Sequence, residues 1–354
     1  MSSGRPPRSR SNPWTRPALL VLRLIVMGVG LGVLVGTGLK LLAPRLAQGA
    51  IGKPQVDAGP RMAAGGGMAL GRFDPRRELT ELSQEWSRLA AAQKGLTASG
   101  YLLVLDDGRY AQLQPDLPQP AASSIKTPIL LAGLEDLDHG KLRWNEPLPL
   151  TKELVAEGAG WMANKPVGTR FPFFEAATEM IRVSDNSATN LLIQRLGGKD
   201  VLNGRFQALG LPATVVNNWL PDLKGTNTTS ARDLARTIAM VDTGEKLSPR
   251  ARDLFREILS SSSTNTLIPA GVLKGVAGKE SAEPDDDLMP FGITIYNKTG
   301  DIGIAYSDAA LIQLPSGQRV VAAFMVKGPF NDARSSELIR SMAAATARTL
   351  VGRK

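Results

Sequence analysis

Strand-like runs in this chain are confined to two places, and a long helical stretch separates them. "SGYLLVLDDGRYAQLQP" reads as a strand, an Asp-Gly turn and a second strand. Nothing comparable follows until "FGITIYNKTG", "IAYSDAALIQLP" and "RVVAAFMVKG", the last two separated by a Ser-Gly-Gln turn. From Ser123 to about Gly275 the pattern is mostly helical, with many breaks. A helix precedes the first strands: Leu79, Leu82, Trp86 and Leu89 recur at helical spacing and the run stops at Gly95. Another helix, "DARSSELIRSMAAATARTLVG", follows the last strand. The simplest packing joins both ends in one sheet. The expected fold is therefore α/β (α+β), with a five-stranded antiparallel sheet built from both chain ends. The terminal helices cover one face and an inserted all-helical subdomain, about 123–275, supplies the other. A site belongs where the insert meets the sheet. The domain as a whole is expected over 76–354.

Before residue 76 the chain is of another kind. Residues 1–17 form a basic tail with Arg5, Arg8, Arg10 and Arg16. The stretch 18–43 is apolar except for Arg23, Thr37 and Lys40, long enough for an N-terminal transmembrane helix. The preceding arginines place the tail in the cytoplasm and the rest outside it. The expectation is a membrane-anchored protein with a periplasmic, extracytoplasmic domain. A cleaved signal peptide is the competing reading, since "LAQGA" offers small residues for cleavage. Residues 44–75, rich in Gly and Ala, read as a flexible linker.

Charge and composition narrow the function. The net charge is +9, but the first 50 residues carry seven basic side chains and no acid. The body is nearly balanced and has no basic stripe interleaved with aromatics, so no nucleic-acid partner is expected. There is no cysteine, which removes disulfides, thiolate catalysis and cysteine zinc sites. The single histidine, His139, lies at a helix end before Gly140 and reads as a surface turn residue. No metal or organic cofactor is implied, and a monomer is expected.

Three short motifs remain. Ser123-Ser124-Ile125-Lys126 falls at a helix start, Ser184-Asp185-Asn186 just before another helix, and Lys298-Thr299-Gly300 at the end of a strand. Each alone has a bland reading: two helix caps and a solvated strand end. Together they describe a chemistry. A serine hydroxyl is a weak nucleophile until a base takes its proton. With no usable histidine the base must be a lysine, active only as a neutral amine. Ser123 and Lys126 share one helix face. Burial or a neighbouring cation such as Lys298 would lower the Lys126 pKa. The Ser123 N–H and a second N–H from the strand after Gly300 could form an oxyanion hole.

The order SxxK, SDN, KTG is the signature set of class A β-lactamases and penicillin-binding proteins. Over about residues 76–352 the chain resembles that family, and class A β-lactamases most closely. The resemblance implies that the second oxyanion donor is the Asp301 backbone. It implies that Ser184 relays a proton to the leaving nitrogen and Asn186 binds a substrate amide. Lys298 and Thr299 would bind a substrate carboxylate. β-Lactams or peptidoglycan-like molecules are the implied substrates.

The sequence also departs from the family. Its members carry a glutamate that activates the water releasing the acyl group. Aligning "NNWLPDLKGTNTTS" on the family pattern puts Leu220 at that position and Lys224 where an asparagine helps hold the water. Asp222 is the only acid nearby. Asp301 follows Lys298-Thr299-Gly300 where a small or hydroxyl residue is usual, and its negative side chain could repel a carboxylate. The arginine that supports the substrate carboxylate is matched by Ser307 or Ser263. Acylation machinery is complete while the deacylating base is missing. The expected function is a serine acyl-enzyme hydrolase with slow release. A peptidoglycan D,D-peptidase, a cell-wall binding module without turnover, and a purely structural envelope protein are the alternatives.

Overall fold

A computed structural model describes residues 73–352. The basic tail, the expected transmembrane segment 18–43 and nearly all of the linker lie outside the described residues. Among the described residues no helix is long and apolar enough to cross a membrane.

The elements run β1 (Arg77–Glu78), α1 (Thr80–Ala91), β2 (Thr97–Val104), β3 (Arg109–Leu113) and β4 (Gln119–Pro120). A 3₁₀ turn over Ala122–Ile125 leads into α2 (Lys126–Asp138). There follow β5 (Pro147–Pro149), β6 (Arg170–Pro172), α3 (Phe173–Arg182), α4 (Asn186–Arg195) and α5 (Gly198–Ala208). Then come β7 (Thr228–Thr229), α6 (Ala231–Asp242), α7 (Pro249–Ser260), α8 (Ile268–Ala277) and α9 (Pro284–Leu288). The described chain closes with β8 (Thr294–Asp301), β9 (Ala305–Gln313), β10 (Arg319–Lys327) and α10 (Ala333–Leu350).

The main sheet has the order β1-β3-β2-β10-β9-β8, so both chain ends do meet in one sheet. It has six strands rather than the expected five. The sixth, β1, is two residues long and pairs parallel to β3, which makes the sheet mixed. Two residues are too few for an alternating pattern to register. The other neighbours are antiparallel, with Ala323 opposite Tyr101 and Ala309 across the β10 ladder.

Both faces of the sheet are covered. Leu102, Val104, Val320, Ala322, Phe324 and Val326 face α1, α8 and α10. Tyr101, Leu103, Val321, Ala323 and Met325 face Leu234, Ala235 and Ile238 of α6. The two sets alternate along each strand, as the period of two requires. Double burial explains why β10 reads as an unbroken apolar run. Trp86 of α1 is fully buried, edge-on to Phe324, and donates from Nε1 to the Met342 carbonyl at 3.1 Å. Burying a side chain of this size contributes roughly 1.5–3 kcal/mol or more. Helix α8 packs with the sheet layer, on α10, because Gly271 and Gly275 let it approach the α10 backbone closely.

A separate helical core forms around α2. Every residue from Lys126 to Leu134 is buried, so only the last turn of this helix, Glu135 to Asp138, reaches solvent. The 3₁₀ turn at its N-terminal end lies against the edge strand β8, which brings the first and third motifs together.

Candidate active site

The 3₁₀ turn that carries Ser123 is held against the sheet edge. Ser307 Oγ of β9 donates to the Ala121 carbonyl at 3.0 Å. Gly300 of β8 lies opposite Ser307 in the ladder. A Cβ on Gly300 would stand 2.7 Å from Ser123 N and 2.8 Å from Ser124 N, so only glycine permits this approach. Ala122, one residue before Ser123, has φ 47°, a left-handed value costly for a residue with a Cβ.

Lys126 is the first residue of α2 and is fully buried. Its Nζ lies 3.1 Å from Ser123 Oγ, 2.6 Å from the Ser184 carbonyl oxygen, 3.0 Å from Ser184 Oγ and 3.0 Å from Asn186 Oδ1. The Asn186 orientation is fixed, because its Nδ2 donates to the Glu157 carbonyl at 3.1 Å. Two of the four oxygens around Nζ can only accept. A neutral amine has two N–H groups for those two, and one lone pair left for a hydroxyl proton. Burial holds the Lys126 pKa well below its ordinary value of 10.5. The Lys298 charge pushes in the same direction and Asp185 opposes it. Ser184 itself has φ 59°. Its carbonyl and hydroxyl both face Nζ, so the local backbone strain coincides with two of the four lysine contacts.

The second motif owes its position to Asp185. This carboxylate caps α4 by accepting from Ala188 N, and its other oxygen accepts from Trp161 N at 2.7 Å and Met162 N at 2.8 Å. The third motif lies on β8. Lys298 is buried and its Nζ donates to the Thr299 carbonyl at 2.8 Å. Burial lowers its pKa to about 8, against the pull of Asp308. Asp308 is pushed up to about 7 by its own burial, although Asn297 Nδ2 and Ile268 N donate to it. Thr299 Oγ1 donates to Thr264 Oγ1 at 2.6 Å.

The ladder register orients Asp301. Ile302 N donates to the Ala305 carbonyl, making that pair hydrogen-bonded. The next pair, Asp301–Tyr306, is then non-hydrogen-bonded. The Asp301 N–H points off the free edge of β8, the edge against which Ser123 packs.

The structure thus brings Ser123, Lys126, Ser184 and Asn186 into one hydrogen-bonded cluster, with Gly300 touching Ser123. Ser307 is buried on the Ala121 carbonyl, and Ser263 Oγ donates to the Arg182 carbonyl at 2.7 Å. Leu220 is 6% exposed and packs in the helical core. Asp222 is turned inward and accepts from Thr226 Oγ1 and Asn227 N, while Lys224 is exposed. His139 caps the end of α2 at the surface. Among the described residues no cluster of acids and histidines could hold a metal.

Several contributors are absent from the sequence reading. Asn190 clamps the Leu220 segment, accepting from Leu220 N and donating to the Leu220 carbonyl, both at 2.9 Å. Its signal is a second asparagine one turn after Asn186 on the same helix face. Thr264 and Asp308 have no local signal, since each acts through a partner distant in sequence.

The Beta-lactamase enzyme family model matches residues 81–350. The chain belongs to this family. A β-lactamase of Streptomyces albus G is 28% identical over 279 residues, covering 74% of this chain and 83% of the relative. The solved structure of PBP-A is 43% identical with a TM-score of 0.72, covering 78% of this chain and 98% of that one. A leucine-to-glutamate mutant of PBP-A, solved as an acyl-enzyme complex with penicillin G, superposes with a TM-score of 0.71. A variant of an ancestral class A β-lactamase of Gram-negative bacteria shares 23% identity and a TM-score of 0.65, a likeness of fold. This β-lactamase-family protein has the α/β fold with both chain ends in one sheet that the sequence suggested, but the sheet is mixed with six strands, and the insert expected to be all-helical also holds the short strands β5, β6 and β7.

Proposed function

We propose that this protein is a serine acyl-enzyme hydrolase, acylated on Ser123 by β-lactams or related cell-wall amides and slow to release the acyl group. One observation carries the reading: a buried Lys126 Nζ shared between Ser123 Oγ, Ser184 Oγ and two acceptor-only oxygens. Neutral Lys126 takes the Ser123 proton as Oγ attacks the carbonyl carbon. The N–H groups of Ser123 and Asp301 hold the developing oxyanion. As the C–N bond breaks, the proton passes from Lys126 through the Ser184 hydroxyl to the leaving nitrogen. Asn186 aligns the substrate amide, and Lys298 with Thr299 receives a carboxylate. Release by water lacks a placed base, because Leu220 is apolar and Asp222 is occupied. Loss of a general base costs roughly 10²–10⁴-fold.

The likeness to PBP-A favours a second reading, a peptidoglycan D,D-peptidase or penicillin-binding protein acting on the same acyl chemistry. A fluorescent penicillin tests both. A covalent label that disappears in Ser123→Ala supports the acyl-enzyme, and no label under any condition favours a binding module. Sustained rapid hydrolysis of a chromogenic cephalosporin contradicts slow release. We further propose that residues 18–43 anchor a monomeric domain outside the cytoplasm; carbonate extraction of membranes with external protease treatment, and light scattering of the isolated domain, test this.

A further inference from the structure

The segment that leads into Ser123 hangs from two buried hydroxyls on one face of the main sheet. Met325 of β10 stands opposite Ser99 of β2 on one side and opposite Ser307 of β9 on the other. Directly paired residues point to the same face, so both serines flank Met325 on the side that faces α6. Both are fully buried. Ser99 Oγ accepts from Gln119 Nε2 at 3.0 Å, and Ser307 Oγ donates to the Ala121 carbonyl at 3.0 Å.

The Ala121 carbonyl collects two further donors, Ser124 Oγ at 2.6 Å and Ser124 N at 3.2 Å. Those two belong to the 3₁₀ turn itself, whereas the Ser307 bond ties the carbonyl to the sheet. The proposed oxyanion hole is divided between the same two bodies: the Ser123 N–H belongs to the turn, and the Asp301 N–H to β8, the strand beside Ser307. Between Ala121 and Ser123 stands Ala122, with φ 47°. A left-handed alanine persists only where its surroundings hold it, and the peptide that follows it carries the Ser123 N–H. Gly300, opposite Ser307, permits the close approach of turn and sheet. Ser307 adds a directional bond across that contact.

We propose that Ser307 is a positioning residue for the oxyanion hole: through the Ala121 carbonyl it fixes the Ser123 N–H relative to the Asp301 N–H. The inference rests on the acyl-enzyme reading above. It gives Ser307 a role other than support of a substrate carboxylate, which a fully buried hydroxyl bonded to Ala121 does not reach. Removing this hydroxyl orphans no buried group, because Ser124 still satisfies the Ala121 carbonyl, so Ser307→Ala is expected to fold. What it loses is the registration of the turn on the sheet.

The test acylates the wild-type protein, Ser307→Ala, Ser307→Cys and Ser99→Ala with a penicillin carrying ¹³C at the β-lactam carbonyl. Saturation kinetics separate non-covalent affinity from the first-order acylation constant. Isotope-edited infrared spectra read the ester carbonyl of the adduct, whose stretching frequency falls as the oxyanion donors bond to it. In Ser307→Ala the first-order constant falls about tenfold to a hundredfold with affinity little changed, and the carbonyl band moves to higher frequency. Ser307→Cys, whose S–H is a weaker donor, recovers part of both. Ser99→Ala leaves Gln119 Nε2 unpaired and unfolds more readily, but keeps the wild-type acylation constant and band. The proposal is overturned, with the acyl-enzyme reading intact, if Ser307→Ala keeps the wild-type band and a first-order constant within about twofold of wild type. Should Ser307→Ala not fold, the same result in Ser307→Cys overturns it. Ser99→Ala reproducing both changes also overturns it, since the effect would then be general loosening of the sheet. If the wild type is not acylated, both readings fall.

Discussion

Gly300 and Ser123 are in backbone contact: a Cβ added to Gly300 would stand 2.7 Å from the Ser123 nitrogen and 2.5 Å from Ser307 Oγ. No side-chain rotation relieves a clash with backbone. Gly300→Ala therefore pushes β8 away from the 3₁₀ turn and misaligns the two oxyanion donors. The expected loss in Ser123 acylation is roughly 10²-fold or more, the scale of losing an oxyanion contact. Overpacking also costs about 1–3 kcal/mol of stability. Stopped-flow labelling with a fluorescent penicillin and thermal unfolding measure the two effects.

Lys298 influences Lys126 through charge. The cation of Lys298 helps depress the Lys126 pKa, so removing it lets that pKa rise. In the proposed mechanism Lys126 acts as the neutral amine, so acylation is expected to increase with pH as it loses its proton. Lys298→Met keeps the volume and is expected to move the acidic limb of the acylation profile to higher pH. In the wild type, Lys298 itself loses its charge near about 8, so a donor with a carboxylate reacts more slowly above that pH. Acylation rates measured across the pH range with anionic and neutral donors separate the two limbs.

Leu220 and Asn190 form one unit. The Asn190 amide supplies both hydrogen bonds to the Leu220 backbone. Asn190→Leu leaves a buried N–H and a buried carbonyl unpaired. At about 1–3 kcal/mol for each of the two unsatisfied groups, the domain loses roughly 2–6 kcal/mol. Calorimetry reads the loss, and faster hydrogen exchange over residues 217–227 localises it.

Leu220→Glu supplies a carboxylate at the position that the sequence aligns with the family's deacylating glutamate. The expected result is a shorter lifetime of the penicillin adduct, by about tenfold or more, with acylation little changed. The new charge sits in an apolar core, so the variant also unfolds more easily. The adduct lifetime is read by the decay of the acyl-protein mass.

Much of this architecture is legible in the residues themselves. The apolar run Tyr101–Val104 ahead of an Asp-Gly turn marks a strand, and the split of strands between chain ends marks a shared sheet. Ser123 and Lys126 lie one helical turn apart, so their contact follows from local geometry. The two-residue β1 carries no periodicity, which is why the sixth strand was invisible. Asp308, Thr264 and the Asn190 clamp depend on partners that only folding brings near. Asp222 shows the reverse case: its place near Leu220 suggests chemistry, yet both oxygens are consumed by its own loop.

The protonation of Lys126 is the most direct test of the account. In protein carrying ¹³C-labelled lysine, the Lys126 Cε resonance can be assigned by its loss in Lys126→Met and followed from about pH 5 to about pH 11. The account predicts a titration midpoint well below 10.5, coincident with the acidic limb of Ser123 acylation. A Lys126 that stays protonated up to the ordinary lysine range, while Ser123 still acylates at neutral pH, would contradict it.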